Sequence, residues 1–116
     1  MLTPIAAIVL SAAVIGGALL AQAHARRLRV PFALGLVHAG VAVAGLVLLS
    51  LAVSRYTQPL VVNAALLFFF IALIGGAFLL IFRLQKESPP GFMIVLHAGT
   101  AVTALALLWV GLTMGG

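Results

Sequence analysis

The sequence contains no cysteine and a single acidic residue, Glu87. Without a thiol, this chain alone can form no disulfide, thiolate metal site, iron–sulfur cluster or covalently attached c-type haem. Charge of either sign is scarce. Only 6% of residues are charged, where a soluble domain keeps about a quarter. Hydrophobic residues make up 66% of the chain, and mean hydropathy is +1.39. The solvent for such a surface is lipid.

At about 20 residues per crossing, the apolar length allows four spans with short connections. The expected spans are Thr3–Ala23, Phe32–Val53, Leu60–Phe82 and Phe92–Thr113. Almost nothing is left for a soluble domain, so 1–116 is read as one transmembrane unit. Ala21-Gln22-Ala23 has the look of a signal-peptide cleavage site after an apolar run. No positive residue precedes that run, however, and the segment has a full counterpart in the third span. A membrane span is therefore expected there.

A net charge of +5 raises the question of nucleic acid, but the distribution argues against it. Arg26, Arg27, Arg29, Arg55, Arg83 and Lys86 all fall in connections, where cations orient membrane proteins. The first connection, His24–Pro31, holds three arginines. The third, Arg83–Gly91, holds Arg83, Lys86 and Glu87, and the middle one has Arg55 alone. The positive-inside rule then predicts that 24–31 and 83–91 are cytoplasmic and that both termini are outside. Tyr56 and Trp109 are expected near the outer interface. A bacterial inner membrane is the expected setting.

The chain repeats itself. Ile15-Gly16-Gly17-Ala18 is matched by Ile74-Gly75-Gly76-Ala77, and His38-Ala39-Gly40 by His97-Ala98-Gly99, each at an offset of 59. Without gaps, the segments 1–57 and 60–116 share roughly 16 identities in about 57 positions. Each repeat is a two-span hairpin, so both enter the membrane in the same sense, related by an axis along its normal. Backbone groups in lipid must be satisfied internally, which leaves helices. The expected fold is all-α, an up-down four-helix bundle built from a tandem repeat of hairpins.

The repeated positions fall on consistent helix faces. Ala6, Ala13 and Gly17 form one stripe, repeated by Ala65, Ala72 and Gly76. His38, Ala42, Leu46 and Leu49 form another, repeated by His97, Ala101, Leu105 and Leu108. Small residues on such faces ordinarily serve close helix packing. The depths add more. His38 lies seven residues past Pro31 and His97 seven past Pro90, both about 10 Å into the bilayer. The Gly-Gly pairs lie about as deep on the other two spans. One layer therefore holds two histidines on diagonal helices, facing each other, with glycines beside them.

An intramembrane histidine is a functional candidate by default. The ordinary alternative is a neutral imidazole bonded to a backbone carbonyl. Helper side chains are few: Thr100 is near His97, but its counterpart is Val41, and no acid or amide sits at that depth. An iron between the two imidazoles explains the pair better. A macrocycle needs a slot, which Gly16, Gly17, Gly75 and Gly76 would leave, and its propionates need cations, for which Arg27 and Arg29 are candidates.

This constellation resembles the membrane b-type cytochromes, the cytochrome b of quinol-oxidising complexes and the cytochrome b561-like proteins. In them a haem is held by histidines from alternate helices of a four-helix bundle. The resemblance is architectural and covers His38, His97, Gly16, Gly17, Gly75 and Gly76. It implies haem b with His38 and His97 as axial ligands, and electron transfer as the activity. This chain has one histidine pair where those proteins usually carry two haem layers. The resemblance thus points to exchange with quinone, or with a larger membrane redox complex at the cytoplasmic face, over conduction across the whole bilayer. Another macrocycle such as a chlorin would use the same two ligands.

Two other classes remain open on the residues alone: a noncatalytic accessory subunit of a redox or transport complex, and a small transporter. The transporter lacks an intramembrane carboxylate and would have to rely on the histidines or Asn63. No nucleophile–base pair, phosphate loop or zinc motif points to a hydrolase.

Overall fold

Each apolar segment forms one helix in the computed structural model, which describes residues 1–115: α1 (Leu2–Ala25), α2 (Phe32–Arg55), α3 (Leu60–Leu84) and α4 (Gly91–Gly115). All four are long and apolar enough to cross a membrane, and no strand occurs among the described residues. The protein is an all-α four-helix bundle, 43 Å along its longest axis. That length covers a hydrocarbon core of about 30 Å and reaches into the headgroups on both sides.

Proline sets where helices begin. Pro31 and Pro59 are the residues before α2 and α3, and Pro90 precedes α4. Each proline's carbonyl accepts the first helical bonds, from Leu34, from Val62 and Asn63, and from Met93. A proline fixes φ near the helical value and lacks the N–H that would go unpaired at such a start.

The ends of α1 and α3 are repeated turns. Leu28 N–H bonds the Ala23 carbonyl and Arg27 N–H bonds that of His24; Glu87 and Lys86 make the same bonds to Phe82 and Arg83. This is the Schellman pattern, which needs a left-handed residue just past the helix. Arg27 takes that place at φ 56° and Lys86 at φ 58°. Both helices run two residues past the expected spans before this turn closes them. His24, Arg55 and Arg83 belong to the last turns of α1, α2 and α3, and Gly91 opens α4, so none of them lies in a connection.

Packing is closest within each hairpin, α1 on α2 and α3 on α4; α1 also meets α4, and α2 meets α3. The diagonal pairs do not pack directly. Small residues make the close approaches. A Cβ on Gly45 would stand 2.7 Å from Leu10 side-chain atoms, and one on Gly111 would collide with Val62. Ala6, Ala7, Leu10, Leu46, Leu49, Val62, Ala65, Phe69, Ala104 and Leu108 form a continuous core across all four helices.

That core occupies only the half of the bundle nearest the termini. No residue in 14–44 is buried, and none in 73–103. These two stretches are the loop-side halves of the hairpins and are equivalent in the repeat. Within these stretches Gly16 and Gly17 face the His38 ring, and Gly75 and Gly76 face that of His97. Large apolar residues there, such as Ile15, Leu19, Val37, Ile74, Phe78 and Leu96, point outward and are exposed, as a lipid-facing surface requires.

Few polar bonds tie the hairpins together. Gln58 donates to the Thr3 hydroxyl at 3.1 Å, and the Trp109 indole donates to Ser11 at 3.0 Å. At the loop end, the Arg83 guanidinium donates to the Val30 carbonyl and lies over the Phe32 ring, 5.7 Å from its centre.

Candidate functional site

The histidine layer is the first layer above the packed core. His38 projects from α2 and His97 from α4, two helices whose backbones do not come into close approach. Their ring centres are 6.4 Å apart and the planes cross at 83°. The sequence pattern thus located both residues and their mutual facing. As bare imidazoles they form an edge-to-face pair, within the usual aromatic separation of about 4.5–7 Å.

Each ring lies over a glycine of its own hairpin. A Cβ on Gly17 would stand 2.8 Å from Cε1 of His38 and 3.2 Å from its Nε2. A Cβ on Gly76 would stand 3.1 Å from Cε1 of His97 and 3.6 Å from its Nε2. Gly16 and Gly75 are farther off, at 3.9 Å and 3.5 Å from their respective rings. The room that these glycines leave is taken up first by the imidazoles. In this geometry the glycines orient the rings.

The two rings differ in what holds them. Nδ1 of His97 is 2.8 Å from the Ala72 carbonyl. A carbonyl only accepts, so Nδ1 carries the proton and Nε2 is left with a bare lone pair. Ala13 is the repeat equivalent of Ala72, and its carbonyl approaches the His38 ring. There the geometry falls short of a hydrogen bond, and Nδ1 of His38 is buried without a partner among the described residues. An unmet buried polar atom of this kind costs about 1–3 kcal/mol. These carbonyl contacts were not legible in the sequence. Every residue has a carbonyl, and only the identity of Ala13 with Ala72 hinted that the position mattered.

Arg27 and Arg29 lie exposed at the loop end above the layer, with no side-chain hydrogen bond among the described residues. Arg83 is engaged with Val30 and Phe32.

Two imidazoles bind a metal only if something else completes its coordination. No group of three or more histidine, cysteine, aspartate or glutamate side chains assembles among the described residues. A self-sufficient zinc or iron site of protein ligands is therefore not formed by them. A macrocycle would supply the four remaining donors.

The chain matches no protein-family model, no curated protein and no solved structure. What it does must therefore be argued from this site.

Proposed function

We propose that this protein is a small integral-membrane b-type cytochrome, binding one haem b through His38 and His97. The observation that carries the reading is the pair of imidazoles on diagonal helices, with ring centres 6.4 Å apart and no hydrogen bond to either Nε2 among the described residues. A half-buried imidazole whose Nδ1 is committed to a carbonyl presents Nε2 as a metal ligand, with its orientation fixed in advance. His97 meets that description. The glycines act by seating the rings, Gly17 under His38 and Gly76 under His97, and Gly16 and Gly75 keep the same faces low. Arg27 and Arg29 provide positive charge for propionates at the loop end.

When bound, haem supplies reversible one-electron chemistry. The chain's part is to hold two neutral imidazoles at a set separation in a lipid-surrounded layer. A single layer near one membrane face suits exchange with quinone, or with a partner in a larger membrane redox complex on that side. The charge asymmetry supports 24–31 and 83–91 as the cytoplasmic segments of a bacterial inner-membrane protein, with both termini outside.

The test is an absorption spectrum of protein made with ample haem. A Soret band that shifts on dithionite reduction, with sharp α and β bands, is expected of iron with two axial imidazoles. The same spectrum separates haem from a chlorin. His38→Ala and His97→Ala should each end the six-coordinate low-spin state, and the double variant should be colourless. A colourless wild-type protein overturns the assignment and leaves the accessory subunit as the leading reading.

A further inference from the structure

The two seams between hairpins are sequence equivalents, but they are finished differently. At the first, the Trp109 indole reaches from α4 to α1 and donates to the Ser11 hydroxyl at 3.0 Å. The offset of 59 puts Ser50 in the place of Trp109 and Phe70 in the place of Ser11. At the second seam, between α2 and α3, the large and small partners are thus exchanged, and a groove of about 470 Å³ lies there. Val43, Val47, Leu51 and Ser54 of α2 line it, with Phe70 and Leu73 of α3. Ser50 lines it too, but the Ser50 and Ser54 hydroxyls donate to the Leu46 and Leu51 carbonyls at 2.8 Å and 2.9 Å. The walls therefore call for no polar partner.

We propose that this groove seats one acyl chain of an anionic phospholipid from the leaflet at the terminal end of the bundle, with the headgroup at Arg55. Length favours this occupant. From Val43 to Ser54 the groove runs about 16 Å at 1.5 Å per residue. That is about half of a hydrocarbon core of about 30 Å, the depth of one leaflet, whereas a partner's transmembrane helix runs about twice as far. The lining favours it as well. Apolar walls gain dispersion contact from an alkyl chain and forfeit it where they stand empty. Charge selects the headgroup. Arg55 is exposed and follows Leu51 by four residues, so it stands on the same side of α2, one turn above the groove wall. It is the only lysine or arginine at that end, and the one acidic side chain, Glu87, belongs to the other. The site holds whether or not the histidines bind haem.

The probes are phosphatidylglycerol and phosphatidylcholine of equal chain length, offered together in mixed micelles and counted on the protein by native mass spectrometry. Wild-type protein should retain one phosphatidylglycerol, favoured over phosphatidylcholine by about fivefold, the scale of one arginine at an anionic surface. Arg55→Gln changes an exposed side chain, leaves the groove, and should bind both lipids alike. Ser50→Trp combined with Phe70→Ser copies the seam that Trp109 closes and should lose the lipid with helical circular dichroism unchanged. A second readout does not depend on that variant folding. Phe70→Trp in a Trp109→Phe background puts the one indole in the groove, and phosphatidylglycerol with brominated acyl chains should quench it to saturation at one lipid per protein. Quenching without saturation, equal retention of the two lipids by wild-type protein, a headgroup preference that survives Arg55→Gln, or a protein dimer in place of the bound lipid would overturn the proposal.

Discussion

Gly17 lies so close under the imidazole of His38 that a single methyl group there would stand 2.8 Å from Cε1. The equivalent distance from Gly76 to His97 is 3.1 Å. Carbon atoms do not approach to 2.8 Å without displacement, so the two glycines are graded versions of one device. The second hairpin has a few tenths of an ångström to spare.

The grading gives a first prediction. Gly17→Ala should displace the His38 ring and lower cofactor content more than Gly76→Ala lowers it. Gly17→Leu and Gly76→Leu should abolish cofactor binding while leaving an inserted four-helix protein, because a tightly packed contact has no void to absorb the volume. Haem-to-protein ratio and helical circular dichroism on each variant are the measurements. Full cofactor content in both leucine variants would show that the rings tolerate displacement.

Packing in the terminal half supplies a second. A Cβ on Gly111 meets the side chain of Val62 and stands 3.3 Å from its backbone nitrogen. The backbone cannot swing aside as a side chain can. Gly111→Ala should therefore destabilise the bundle by about 1–3 kcal/mol. Gly45→Ala meets only the Leu10 and Val9 side chains and should cost less. Unfolding titrations in mixed micelles would rank the two; the opposite order would mean that α3 and α4 can separate more easily than α1 and α2.

The left-handed residues supply a third. Arg27 and Lys86 hold positive φ without being glycine, at a cost of about 1–2 kcal/mol each. Arg27→Gly and Lys86→Gly should each raise stability by up to about 1 kcal/mol. Arg27→Val should lower it, since a β-branched side chain tolerates that region worst. If Arg27 also serves a propionate, Arg27→Gly will raise thermal stability of the haem-free protein while weakening haem retention, a combination that a purely structural arginine would not produce.

Orientation is the fourth. Cysteines introduced at Thr57 and Met114 should react with an impermeant reagent applied outside, and cysteines at Arg27 and Ser88 should not. All four positions are exposed, so reactivity reports side and not burial. Labelling in the reverse pattern would invert the topology and leave the bundle intact.

Much of this was legible in the linear chain. Hydropathy located four helices to within a residue or two at each end, because in lipid an apolar run of about 20 residues has no other way to satisfy its backbone. The repeat, read at a fixed offset, put His38 and His97 at equal depth, and helical periodicity put Ala13 and Ala72, Leu49 and Leu108 on inward faces. All four are buried.

Tertiary structure alone decided the rest, and the reason is that repetition of sequence does not force repetition of contacts. The identical alanines, Ala13 and Ala72, offer the same carbonyl, but only the one facing His97 closes a hydrogen bond. The core below the histidine layer is not repeated either: Leu10 stands where the second hairpin has Phe69, and Gly45 where it has Ala104. Likewise the sequence marks His24 and Arg83 as equivalents at the loop ends, yet only Arg83 reaches across to Val30 and Phe32. Apolar periodicity determines which residues turn inward. Which of two equal imidazoles closes its hydrogen bond is decided by the positions the helices take in three dimensions.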